Sequence, residues 1–185
     1  MGASGPPRRT ALHGIGALIF LTTGTQLPFD RLVRAVDDWV EKAKPGCEIF
    51  AQVLPAIHGP YRPRNFDTRE RLSPRDYAEI FDKARLIISH AGMGTILTAL
   101  TRGKQICIMP RQVKYNEHRN DHQFATVERL KDYPGLFKAR DEHELPTRLD
   151  AAMRSIGSSR PEAIGLFADR GFTDNLRKFI LTGQT

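Results

Sequence analysis

His90, Gly92, Gly94 and Thr95 stand together in the run His-Ala-Gly-Met-Gly-Thr, with Met93 between the glycines. These types at this spacing suit the binding of an anion. Glycine has no Cβ, so a phosphate can approach the main chain closely. The first amides of a helix have no internal acceptor and carry the positive end of the helix dipole. Thr95 adds a hydroxyl. Such a turn is a place for a phosphate or diphosphate. It is neither the GxGxxG fingerprint nor a P-loop, because no Gly-Lys-Ser/Thr opens the helix. The same spacing also serves a tight strand-to-helix turn with no ligand.

Three further stretches could do chemistry. Thr23-Gly24-Thr25-Gln26 places a glycine and hydroxyls just beyond an apolar run, where open α/β sheets bind ligands; a plain strand–helix connection is the alternative. Arg111 to His122 is a polar loop, and it leads into a helix whose start carries Asn120, Asp121, His122 and Gln123. Asn, Asp and Gln side chains suit the hydroxyls of a sugar or ribose. Two histidines and two carboxylates also lie there, but at no metal-binding spacing, so no metal is expected. Pro55 to Leu72 is long, proline-stiffened and irregular, with Arg62, Arg64, Arg69 and Arg71 interleaved with Tyr61 and Phe66. That mixture could contact phosphate, a lipid headgroup or single-stranded nucleic acid, or it is a solvated loop.

The elements that must position these residues follow from periodicity. Leu86–Ser89 and Gln105–Met109 are short apolar runs bounded by polar or turn residues and read as buried strands. Between them the glycine turn leads to a helix over Ile96–Arg102, closed by Gly103. This is one βαβ unit. Ala17–Thr22 and Cys47–Leu54 read as two more strands, and Leu136–Ala139 as a last one. Phe29, Leu32, Val33, Val36, Trp39 and Val40 form the stripe of a helix over Phe29–Ala43. Ser73-Pro74-Arg75-Asp76 starts another, with Ser73 as N-cap and Tyr77, Ile80, Phe81 and Ala84 inward. A helix over Asp121–Leu130 turns Phe124, Val127 and Leu130 inward, and another spans Glu144–Ile156. The pattern predicts an α/β fold, a Rossmann-like doubly wound parallel sheet. Residues 1–16 read as a disordered leader, 17–157 as the domain, and 158–185 as a helical tail whose last helix, Asp174–Leu181, docks on the domain or a partner.

A chain of 185 residues with a net charge of +7 fits one domain with anionic partners. Cys47 and Cys107 form neither a CxxC nor a zinc spacing, and read as reduced buried thiols of a cytoplasmic protein. The apolar run Ala17–Leu21 is far too short to span a bilayer.

Three segments together, TTGTQLPFDRLVRAV, ISHAGMGTILTALTRGK and MPRQVKYNEHRNDHQFATVERL, resemble the C-terminal, donor-binding domain of GT-B glycosyltransferases of the family that contains MurG. The combination is most similar to split members: the PssE-type subunit of bacterial exopolysaccharide and capsule glycosyltransferases, and the soluble subunit of the dolichol-linked N-acetylglucosaminyltransferase. The resemblance covers Leu18 to Leu149. It implies a UDP-sugar donor and an inverting transfer to a polyprenyl-diphosphate-linked saccharide, with no metal or other cofactor. It implies that Thr23, Gly24, Thr25 and Gln26, with Gly92, Met93, Gly94 and Thr95, hold the diphosphate, and that His90 lies at the mouth of the same donor site. Asn120, Asp121, His122 and Gln123 would meet the donor sugar. Thr98 stands where many relatives carry a ribose-binding Glu, and His122 where they often carry Asp.

The family's enzymes pair two such domains, and this chain carries one. Inversion needs a base near the acceptor hydroxyl. The resemblance therefore implies a membrane-associated, acceptor-binding partner subunit that supplies that base, with His90 the candidate within this chain. The chain alone is expected to bind donor with little or no turnover, and to sit at the inner face of the membrane through its partner. A non-catalytic nucleotide-sugar-binding or scaffolding protein of the same fold is the alternative. A nucleic-acid-binding role rests on charge alone and is not expected.

Overall fold

The structure, a computed structural model, describes residues 17–56, 59, 61–157 and 161–165. Six strands form one sheet: β1 (Leu18–Thr22), β2 (Glu48–Gln52), β3 (Asp67–Arg69), β4 (Leu86–His90), β5 (Gln105–Met109) and β6 (Leu136–Lys138). Every neighbouring pair is parallel, and the order is β3-β2-β1-β4-β5-β6. The chain works outward from β1 to β3, then crosses back to β4 and works outward the other way. The reversal falls between β1 and β4, where Thr22 pairs with Ser89.

The strands are apolar on both faces because helices cover both. Ile19 and Leu21 face α1 (Asp30–Ala43) and α5 (Leu145–Ser155) in one core layer. Leu18 and Phe20, one residue out of phase, face the other layer with α2 (Pro74–Lys83), α3 (Met93–Thr101) and α4 (His122–Arg129). The helix signals act as their residue types dictate. Ser73 Oγ accepts the Asp76 N–H at 3.1 Å, a cap whose loss costs ~1 kcal/mol. The Trp39 indole N–H donates to Asp150 at 2.8 Å and ties α1 to α5.

Four expectations need correction. First, α3 begins at Met93, not Ile96, so Gly92 is its N-cap and Met93-Gly94-Thr95 is its first turn. Gly94 thus lies inside the helix and not in the turn before it. Second, the segment after β2 is not wholly irregular: Asp67–Arg69 pairs with Phe50–Gln52 as an exposed edge strand. Third, its aromatics do not interleave with cations at the surface. Tyr61 and Phe66 pack against the α1 layer, and Asp37 of α1 holds the segment by accepting from Tyr61 Oη at 2.6 Å and from the amides of Arg64 and Asn65 at 3.0 Å each. Fourth, Phe124 of α4 is 38% exposed, whereas Gln123 and Val127 turn inward. The expected helix at Asp174–Leu181 lies outside the described residues. Among the described residues, no helix is long and apolar enough to cross a membrane.

Candidate functional site

The site lies at the switch point. β1 and β4 run side by side, so the turn after Thr22 and the turn after His90 open at the same edge of the sheet. A cavity of about 240 Å³ sits there, lined by the Thr23–Leu27 segment, His90, Arg111, His118 and Gln123. A larger hollow of about 830 Å³ lies along α1 and α5, on the flank of the sheet, where Asp38, Arg34 and Lys42 mix charges of both signs. The smaller cavity is where the strand ends deliver glycines and an imidazole.

His90 is held between two glycines. A Cβ on Gly24 would lie 3.1 Å from His90 Cε1, and one on Gly92 would lie 2.4 Å from His90 Nε2. Gly24 also has φ +77°, and its amide donates to Thr22 Oγ1 at 3.3 Å. His90 Nδ1 is buried with no partner among the described residues. Burial first, then the charges of Arg111 and His118, push the imidazole down to a pKa of about 4. At neutral pH it is uncharged and offers one N–H and one lone pair.

Beside it, α3 starts with no side-chain cap on Gly92. The amides of Met93, Gly94 and Thr95 have no acceptor among the described residues. A Cβ on Gly94 would meet nothing within 4 Å, so this turn is open to a ligand. Thr95 shares Tyr77 with Thr22: burial raises the Tyr77 phenol while these two hydroxyls oppose it. Thr98 spends its hydroxyl on the Gly94 carbonyl at 2.7 Å.

The Thr23 hydroxyl accepts the Leu54 amide at 3.3 Å, so it braces the exit of β2. Thr25 and Gln26 are exposed at the cavity mouth. Of the four residues expected at the donor sugar, Gln123 lines the cavity; its Oε1 accepts the Arg111 amide at 3.2 Å. Asn120, Asp121 and His122 are exposed and do not line it. Asp121 accepts the Val113 amide at 2.9 Å, and Asn120 is bonded to His122. Their side chains shape the loop that leads into α4.

Sequence reasoning missed Arg111 and His118. Arg111 lies two residues beyond β5, in Met-Pro-Arg-Gln, and a cation next to a strand's carboxyl end was the signal that could have found it. The loop that carries it is anchored by Glu117, which takes the Arg31 guanidinium at 2.8 and 2.7 Å. Among the described residues, no group of three or more His, Cys, Asp or Glu side chains converges as metal ligands.

This order of parallel strands, with a cleft at its reversal, defines a Rossmann-like domain of the kind found as the C-terminal half of GT-B glycosyltransferases. The family model of the glycosyltransferase family 28 C-terminal domain matches residues 18–164, and the chain belongs to that family. Among solved structures it is similar to the glycosyltransferase of kitacinnamycin, with a TM-score of 0.55 and 16% identity over 84% of this chain and 39% of that one. It is also similar to CalG4, the calicheamicin glycosyltransferase, with a TM-score of 0.50 and 16% identity over 91% of this chain and 40% of that one. At these identities the likeness shows the fold. The chain spans about two fifths of the length of both enzymes. No curated protein matches its sequence significantly.

Proposed function

We propose that this chain is the donor-binding subunit of an inverting glycosyltransferase that uses a UDP-sugar. The observation that carries the reading is the neutral imidazole of His90, held between Gly24 and Gly92 beside the open amides of α3. A diphosphate gains from both. The amides and the helix dipole stabilise its charge, including the charge that grows on the leaving group. The uncharged imidazole donates one hydrogen bond without offering a proton to the leaving phosphate. The Thr23–Gln26 turn closes over the opposite side, and Gln123 faces the same cavity from α4.

The acceptor is a polyprenyl-diphosphate-linked saccharide, in exopolysaccharide or capsule synthesis. A membrane-associated partner subunit binds it and supplies the base that deprotonates the acceptor hydroxyl. One observation supports this division. The cavity has no carboxylate in its lining, His90 is buried with its basicity lowered to about 4, and His118 is shifted in the same direction. The chain reaches the inner membrane face through that partner.

Calorimetric titration with UDP and UDP-sugars tests the donor site. Wild type binds, and His90→Ala with its fold intact binds at least tenfold more weakly, the scale of one lost charge-assisted hydrogen bond. Absence of binding, both by the chain and by a complex co-purified with its partner, overturns the reading. Turnover by the purified chain alone overturns the need for a partner.

A further inference from the structure

Arg111 is 3% exposed, and its guanidinium contacts main chain rather than a carboxylate. One terminal nitrogen donates to the carbonyls of Thr23 and Leu27, each at 2.7 Å. The other donates to the carbonyl of Pro28, and to that of Glu117 at 3.3 Å. The plane lies over the Phe29 ring at 4.7 Å. Thr23 and the Leu27–Pro28 pair are the two ends of the segment that lines the cleft, so a single planar fork closes it. A lysine could not do this, because an ammonium is a point charge without the fork.

The charge of Arg111 is not cancelled at contact. Among the described residues no carboxylate comes within ion-pair distance of it. Glu117 is the acid on the same loop, but its oxygens go to Arg31 and to the Gln112 amide at 3.0 Å. A buried cation that lacks a counter-ion is costly, and the cost falls when an anion arrives. Arg111 lines the cavity where that anion would sit.

We propose that Arg111 is the positioning residue of the donor cleft: its fork sets the Thr23–Gln26 turn in ligand-accepting shape, and the donor's diphosphate is the counter-ion of its charge. The second half rests on the donor-site reading above; the first does not.

The test uses the full chain and two variants. Arg111→Lys keeps the charge and loses the fork. Arg111→Gln loses both. Amide hydrogen exchange without ligand reads the clamp. The amides of Gly24–Gln26 exchange roughly tenfold faster in Arg111→Lys, while those of β1 and β4 are unchanged. Equal exchange at the turn overturns the clamp. Titration with UDP over a salt series reads the counter-ion. Affinity falls roughly tenfold in Arg111→Lys and further in Arg111→Gln, and the dependence on salt flattens in Arg111→Gln alone. UDP binding of equal strength and salt dependence in all three proteins overturns the counter-ion role and leaves the donor site standing. A wild type that does not bind UDP overturns the donor-site reading and the counter-ion role with it, and the exchange data still decide the clamp. Should Arg111→Gln fail to fold, Arg111→Met, which also removes the charge, takes its place in the salt series, with the same flattening expected and an unchanged salt dependence overturning the counter-ion role.

Discussion

Gly92 faces the His90 imidazole so closely that a methyl group built on it would lie 2.4 Å from Nε2. The backbone at Gly92 has φ −90°, which any residue can adopt, so it is the ring and not the torsion that requires glycine. Gly92→Ala therefore expels the imidazole from its slot. It should cost about 1–3 kcal/mol of stability, the usual range for overpacking, and abolish UDP binding. Thermal unfolding and calorimetry on the same sample check both.

Gly94, two residues on, should behave in the opposite way. Its Cβ would meet nothing, and it sits in the first turn of α3. Gly94→Ala should stabilise the free chain by up to about 1 kcal/mol, because alanine loses less entropy in a helix. If the open space belongs to the diphosphate, the same methyl weakens UDP. A higher melting temperature with lower affinity is the expected pair of results.

His90 also makes stability depend on pH. Its pKa is about 4 in the folded chain, mainly through burial, against 6.5 as the ordinary value. As pH falls, the unfolded chain takes the proton first. The stabilisation is thus complete above about pH 6.5 and is lost as pH falls through about 4, by roughly 3 kcal/mol in all. Urea unfolding across this window should show the slope in wild type and a flatter profile in His90→Asn.

Asp37 fixes the segment after β2. Burial pushes its carboxyl up, but the bonds from Tyr61, Arg64 and Asn65 outweigh that and leave it below the usual carboxylate range. Asp37→Ala strands those donors and should cost about 3 kcal/mol. Proteolysis should then cut first near Arg62 and Arg64. In wild type this contribution is present above the ordinary carboxylate pKa and is lost as pH falls through the depressed one.

Glu117 holds the loop that carries Arg111. Its ion pair with Arg31 measures 2.7 Å, and both side chains are largely buried. Glu117→Gln leaves Arg31 with Glu142 at 2.5 Å, so a cation is not wholly abandoned. A loss of about 2 kcal/mol is expected, below the cost of orphaning a buried charge. Because the Glu117 carbonyl and the Gln112 amide belong to the same loop, UDP affinity should fall with it.

The layers of this fold could be read from the chain because local forces decide them. The apolar runs Leu86–Ser89 and Gln105–Met109 can only be buried strands in a domain covered on both faces, and β5 forms over the residues expected. The stripe from Phe29 to Val40 and the Ser73 cap mark their helices for the same reason. The weakest expectations concerned residues whose partners lie far along the chain. Asp67–Arg69 has no strand-like composition and pairs only because β2 presents an edge. Phe124 looks like a core residue by periodicity, yet the buried position on that turn goes to Gln123, whose oxygen the Arg111 amide needs.

The site divides along the same line. Glycines beyond strand ends, a helix start and a histidine beside them are properties of the sequence, because each acts through its own backbone geometry. That Gly24 and Gly92 close on the same imidazole, and that Arg111 staples a turn 83 to 88 residues away, required β1 and β4 to lie side by side with β5 next to them. Residue types determined what chemistry the cleft could offer. Only strand order decided which of them meet, since contacts across such separations follow from the packing of the whole sheet and not from any local preference.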